Sequence, residues 1–86
     1  MRVVELKDLS AKETPLHYLK EFNAVAVIDA ADGTSEIPVN FTVERLPVGG
    51  PDINVSFHAT PAWPVVPLIH SIKDKILDLD RKGQLP

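Results

Sequence analysis

The chain has 86 residues, a formal net charge of −3 and no cysteine. Its length holds one domain, and 44% hydrophobic with 24% charged residues is the balance of a folded protein rather than a disordered tail. Disulfides and thiolate zinc sites are excluded, and no apolar run reaches the ~20 residues of a membrane span.

The N-terminal Met-Arg-Val-Val-Glu-Leu-Lys-Asp is interrupted by charge and has no signal-peptide core. With the absence of cysteine, this sets the expectation of a cytoplasmic protein that does not enter a membrane. Val3 to Leu6 reads as a short strand, followed by a polar turn from Ser10 to Pro15. Ser10 and Glu13 have capping-box spacing, but Pro15 comes too soon for a helix to grow from that cap. Residues 16–22 admit two readings: a short helix with Leu16, Leu19 and Phe22 inward, or the start of a long strand.

Ala24 to Ala30 is apolar on both faces, as in a central strand. Asp32-Gly33 has turn chemistry. The next strand alternates, with Ile37, Val39, Phe41 and Val43 on one side and Pro38, Asn40, Thr42 and Glu44 on the other. Pairing Ala30 with Glu36 sets Val27 against Val39, Val25 against Phe41 and Glu21 against Arg45. That register favours the long strand for residues 16–22.

A second turn, Pro47 to Asp52, leads to a strand from Ile53 to Ala59. Ile53, Val55, Phe57 and Ala59 join the core side; Asn54, Ser56 and His58 join the other. Pro61, Pro64 and Pro67 make a rigid connector. From Val65 to Lys82 the period is helical, with a stripe of Val65, Leu68, Ile69, Ile72, Ile76 and Leu79. Gly83 suits the C′ position. The fold class is α+β: one domain over residues 1–86, an antiparallel meander of three to four strands with one C-terminal helix packed on one face.

No residues combine into a catalytic, metal or cofactor signature. His17, His58 and His70 lack local ligand spacing. Ser56 and His58 share a strand face, without an oxyanion-hole motif. Asp29 to Glu36 lacks the alternating acids of a calcium loop. Val48-Gly49-Gly50-Pro51 lacks the lysine and helix of a phosphate loop.

One helix covers only one sheet face. In the register above, the uncovered face carries Phe22, Ala24, Ala26 and Ile28 beside Asn40, Thr42, Ser56 and His58. An apolar centre with neutral polar neighbours resembles an interface. Trp63, between two prolines, reads either as a plug of the core or as an interface anchor. The leading expectation is therefore a small interaction or assembly module without catalytic activity or cofactor. It would form a homodimer, or bind another protein, through that face or an adjoining edge. Two alternatives remain. One is nucleic-acid binding by Lys73, Lys75, Arg81 and Lys82, which the acidic balance and the interspersed Asp74, Asp78 and Asp80 disfavour. The other is a small ligand-binding or enzymatic domain with a site near His58.

Overall fold

A computed structural model describes residues 1–86. Four strands precede one helix: β1 (Arg2–Lys12), β2 (Leu19–Ala30), β3 (Gly33–Glu44), β4 (Asp52–Phe57) and α1 (Val65–Arg81). The strands form one antiparallel sheet in the order β1-β2-β3-β4, so the α+β meander is observed. β1 runs on to Lys12, through the stretch expected to turn at Ser10. β2 starts at Leu19, so no helix forms before Phe22, and β4 stops at Phe57, short of Ala59.

The central hairpin closes more tightly than the sequence suggested. Ala31-Asp32 alone make the turn, and Ala30 pairs with Gly33. Gly33 takes φ +126°, a value that a side chain resists and glycine accepts. The chain therefore re-enters the sheet three residues before the expected partner, Glu36. A shift by an odd number turns one strand's side chains to the opposite face. Phe22 now lies against Phe41, Ala24 against Val39 and Ala26 against Ile37. Val25 faces Pro38, Val27 faces Glu36 and Glu21 faces Thr42, correcting the expected pairs with Phe41, Val39 and Arg45.

The consequence is a corrected core. Phe22, Ala24, Ala26 and Ile28 are buried with Val39, Phe41, Val43 and Ile53 under the helix. Phe22 and Phe41 stack with ring centroids 4.9 Å apart, a contact that adds to the area both remove from water. Leu68, Ile72 and Ile76 close the core from above, and the helix reaches both edge strands, β1 and β4. Val65, expected in the helix stripe, is exposed at the first turn.

Local chemistry explains both helix ends. Pro64 sits at the N-cap and Pro67 in the first turn, where a missing N–H leaves no helical bond unmade. At the other end, Gly83 has φ +67°. Its N–H donates to the Asp80 carbonyl and that of Gln84 to the Leu79 carbonyl, which is a Schellman closure. Arg45, just past β3, makes a two-pronged contact with the Asp80 carboxylate, Nη1 lying 2.9 Å from Oδ2. This ties the end of the hairpin to the end of the helix.

The hairpin register is testable by paired substitutions on β2. Ile28 is fully buried, so Ile28→Glu should bury an unpaired carboxylate and abolish cooperative unfolding. Val25→Thr, on the opposite face of the same strand, should change stability by less than about 1 kcal/mol. Urea titrations of both variants check the assignment.

A second prediction concerns pH. The Arg45 guanidinium holds the Asp80 carboxyl below the usual carboxylate range, outweighing the opposing effect of burial. A carboxylate with a depressed folded pKa stabilises the fold above its unfolded value and loses that contribution as pH falls through the folded one. Asp80→Asn should therefore be less stable than the parent at neutral pH, by about 0.5 to 1 kcal/mol given the partly exposed Arg45. The difference should shrink below about pH 4, as thermal melts across that range would show.

Candidate interaction surface

The face away from the helix is built from register-aligned rungs. Ser10, Asn23, Asn40 and Ser56 lie side by side across all four strands. Lys12, Glu21, Thr42 and Asn54 form the next rung. The Asn40 side-chain amide donates to the Asn23 side-chain carbonyl, holding the middle of the first rung. A shallow depression of about 210 Å³ lies over this area, bordered by Lys12, Glu21, Asn40, Thr42, Asn54 and Ser56.

The apolar part of this face is Val25 and Val27 on β2 with the exposed Pro38 on β3, opposite Val25. Lys7 and Glu36 flank the valines from β1 and β3, and Lys7 Nζ donates to Glu36 Oε2 at 2.8 Å. With Lys7 opposite Val25 and Glu36 opposite Val27, the bridge crosses β2 on this face. Val27 is 9% exposed although no helix lies on that side. Glu36 and the acids around it hold the Lys7 ammonium above its ordinary range.

The expected interface residues therefore separate. Phe22, Ala24, Ala26 and Ile28 are core, because the tight turn reverses the side of β2 they occupy. Asn40, Thr42 and Ser56 do lie on the uncovered face, joined there by Asn23 and Asn54. His58 is exposed just past β4. Trp63 is half-buried and packs against the core. It also lines a cleft of about 300 Å³ with Ile37, Phe57, His58 and Pro61.

That cleft exists because the β3–β4 ladder is short. It ends at Val39 opposite Phe57, where the next residue of β3, Pro38, has no N–H to donate. The first half of β3 thus projects beyond its neighbour.

Of the four basic residues Lys73, Lys75, Arg81 and Lys82, the last two contact an acid. Lys82 Nζ lies 2.9 Å from Asp78 Oδ2, and Arg81 approaches the same carboxylate at 3.7 Å. Lys82, with Lys75 and Arg81, holds the Asp78 carboxyl below its ordinary range. No group of three or more His, Asp or Glu side chains converges to metal-binding distance. No helix is long and apolar enough to cross a membrane.

The two sheet edges differ. β1 is interrupted twice, between Val3 and Glu5 and between Lys7 and Ser10. Asp8, in the second interruption, has φ +52°. Bulges and charged side chains on an edge prevent it from accepting another strand. β4, Asp-Ile-Asn-Val-Ser-Phe, pairs in unbroken register with β3, and its one charge is at its first residue. No backbone or side-chain hydrogen bond reaches its outer side. Sequence reasoning named an adjoining edge without choosing between the two, although the contrast between Lys-Asp-Leu-Ser-Ala-Lys in β1 and Ile-Asn-Val-Ser-Phe in β4 was visible.

Neither a curated protein nor a solved structure matches the chain. The model of the BB 0187 family matches residues 1–81, nearly the full length, and the chain belongs to that family.

Proposed function

We propose that this protein is a small non-catalytic interaction and assembly module that self-associates through the free edge of its sheet. The observation that carries the reading is the state of β4. It is unbroken in register, almost uncharged and unpaired on its outer side. An extended edge of this kind is a template for another strand, and proteins normally blunt such edges unless they use them. The uncovered face fits less well. Its valines are crossed by the Lys7–Glu36 bridge, and apart from Pro38 its remaining centre is hydrogen-bonding. The size of the chain points the same way, since a domain this short buries only ~60% of its unfolded surface and gains from association.

Sedimentation equilibrium from about 1 to 300 µM, the range in which modest association energies register, tests the reading. The parent should reach twice its 9.5 kDa chain mass. Asn54→Lys/Ser56→Lys, which changes two exposed positions of β4, should remain a folded monomer, because lysine on an edge opposes strand pairing. A parent mass of 9.5 kDa at every concentration would overturn self-association.

A further inference from the structure

We infer that two copies pair antiparallel through β4 about a two-fold axis at Val55, with Ile53 opposite Phe57 of the second copy and Asn54 opposite Ser56. This register deepens the self-association reading and rests on it. Two constraints select it.

The first is the alternation of β4. Ile53, Val55 and Phe57 lie on the helix side, and Asn54 and Ser56 on the other. A two-fold axis perpendicular to the sheet keeps the two sides separate only if it passes through a residue rather than between two. Apolar side chains then meet apolar ones and amide meets hydroxyl, as cross-strand pairing favours. An axis between residues would set Asn54 against Val55.

The second constraint is proline. An axis at Asn54 brings Pro51 opposite Phe57, and Pro51 has no N–H for the ladder. An axis at Val55 pairs Ile53 to Phe57, all within the strand, and leaves both copies of Pro51 outside. An axis at Ser56 draws in His58, Ala59 and Thr60, which have left the strand conformation.

The result is a continuous eight-stranded sheet with both helices on the same side. Val55 and Phe57, half-exposed in one chain, gain apolar neighbours across the axis. Antiparallel pairing also places the β3–β4 turn, which carries the 87% exposed Val48, at the end of the partner strand where the Trp63-lined cleft lies.

The absence of native cysteine makes the register directly readable. Directly opposed residues in an antiparallel pair have Cα atoms about 4.5 to 5.5 Å apart, within the range of a disulfide, whereas diagonal neighbours fall outside it. Asn54→Cys and Ser56→Cys are prepared separately, mixed to allow exchange, and oxidised. The mixture should form the mixed disulfide with a yield about 10-fold above that of either variant alone. Non-reducing electrophoresis and mass spectrometry read this result. Efficient self-coupling of Asn54→Cys alone would move the axis to Asn54 and overturn the register, and self-coupling of Ser56→Cys alone would move it to Ser56. No coupling in a protein that sediments as a dimer would overturn the β4 pairing while leaving self-association in place. A monomeric parent at every concentration would overturn both.

Discussion

The two-residue turn at Ala31-Asp32 decides which half of β2 is core. Because Ala30 meets Gly33, the even-numbered side chains of β2 share a face with the odd-numbered side chains of β3. Phe22 and Phe41 then stack at the centre of the sheet, and Ile28 lies fully buried toward the other end. The helix follows from this, since Leu68, Ile72 and Ile76 need a wide apolar floor. That floor has to span four strands. Alanines at 24 and 26 suit the position, because small side chains on a central strand leave room for the larger ones contributed by β3 and α1.

The same parity sets the character of the opposite face. With Phe22 and Ile28 turned inward, β2 presents Asn23, Val25 and Val27 outward. The Lys7–Glu36 pair crosses the valines, and the Asn23–Asn40 contact occupies the amide groups. A face finished in this way can stand in water, with its valines crossed by an ion pair and its polar atoms paired or solvated. What remains unfinished is backbone. The outer N–H and C=O groups of β4 have no protein partner, and such groups are strong hydrogen-bonding sites.

Strand identity, strand order and the helix were legible in the sequence, because alternation in Ile37 to Val43 and in Ile53 to Phe57 and the 3.6-residue period after Val65 are direct prints of burial. Gly83 as the helix stop was legible for the same kind of reason, a backbone requirement that one residue type meets. The hairpin register was not. β2 is apolar on both sides from Ala24 to Ile28, so its own pattern cannot say which side faces the core. The answer lies in the length of the turn. Asp-Gly is compatible with several loop lengths, and an error of three residues there reverses the assignment of every β2 side chain. The extension of β1 was obscured by its bulges, which break the alternation at Val4 and at Asp8-Leu9. The candidate site inherited the error of the hairpin: Asn40, Thr42 and Ser56 kept their face, while Phe22, Ala24, Ala26 and Ile28 lost theirs.

The asymmetry between the two edges is the remaining step. A meander has two exposed edges by construction, and stability alone does not ask that they be treated differently. Here β1 carries Arg2, Glu5, Lys7, Asp8 and Lys12 on a strand broken twice, each feature raising the cost of adding a strand. β4 carries one charge in six residues and no break. Closing one edge and leaving the other open permits a single association event. In the proposed dimer the β4 of a second copy would use the open edge of both chains and leave only the two β1 edges outward. Growth would then stop at two copies, because a pairing that is its own complement about a two-fold axis is closed. Had both edges been as plain as β4, the same chemistry would have propagated into an open-ended ribbon. On the proposed reading the bulges of β1 would serve the assembly as well as the fold, by limiting the sheet to one partner.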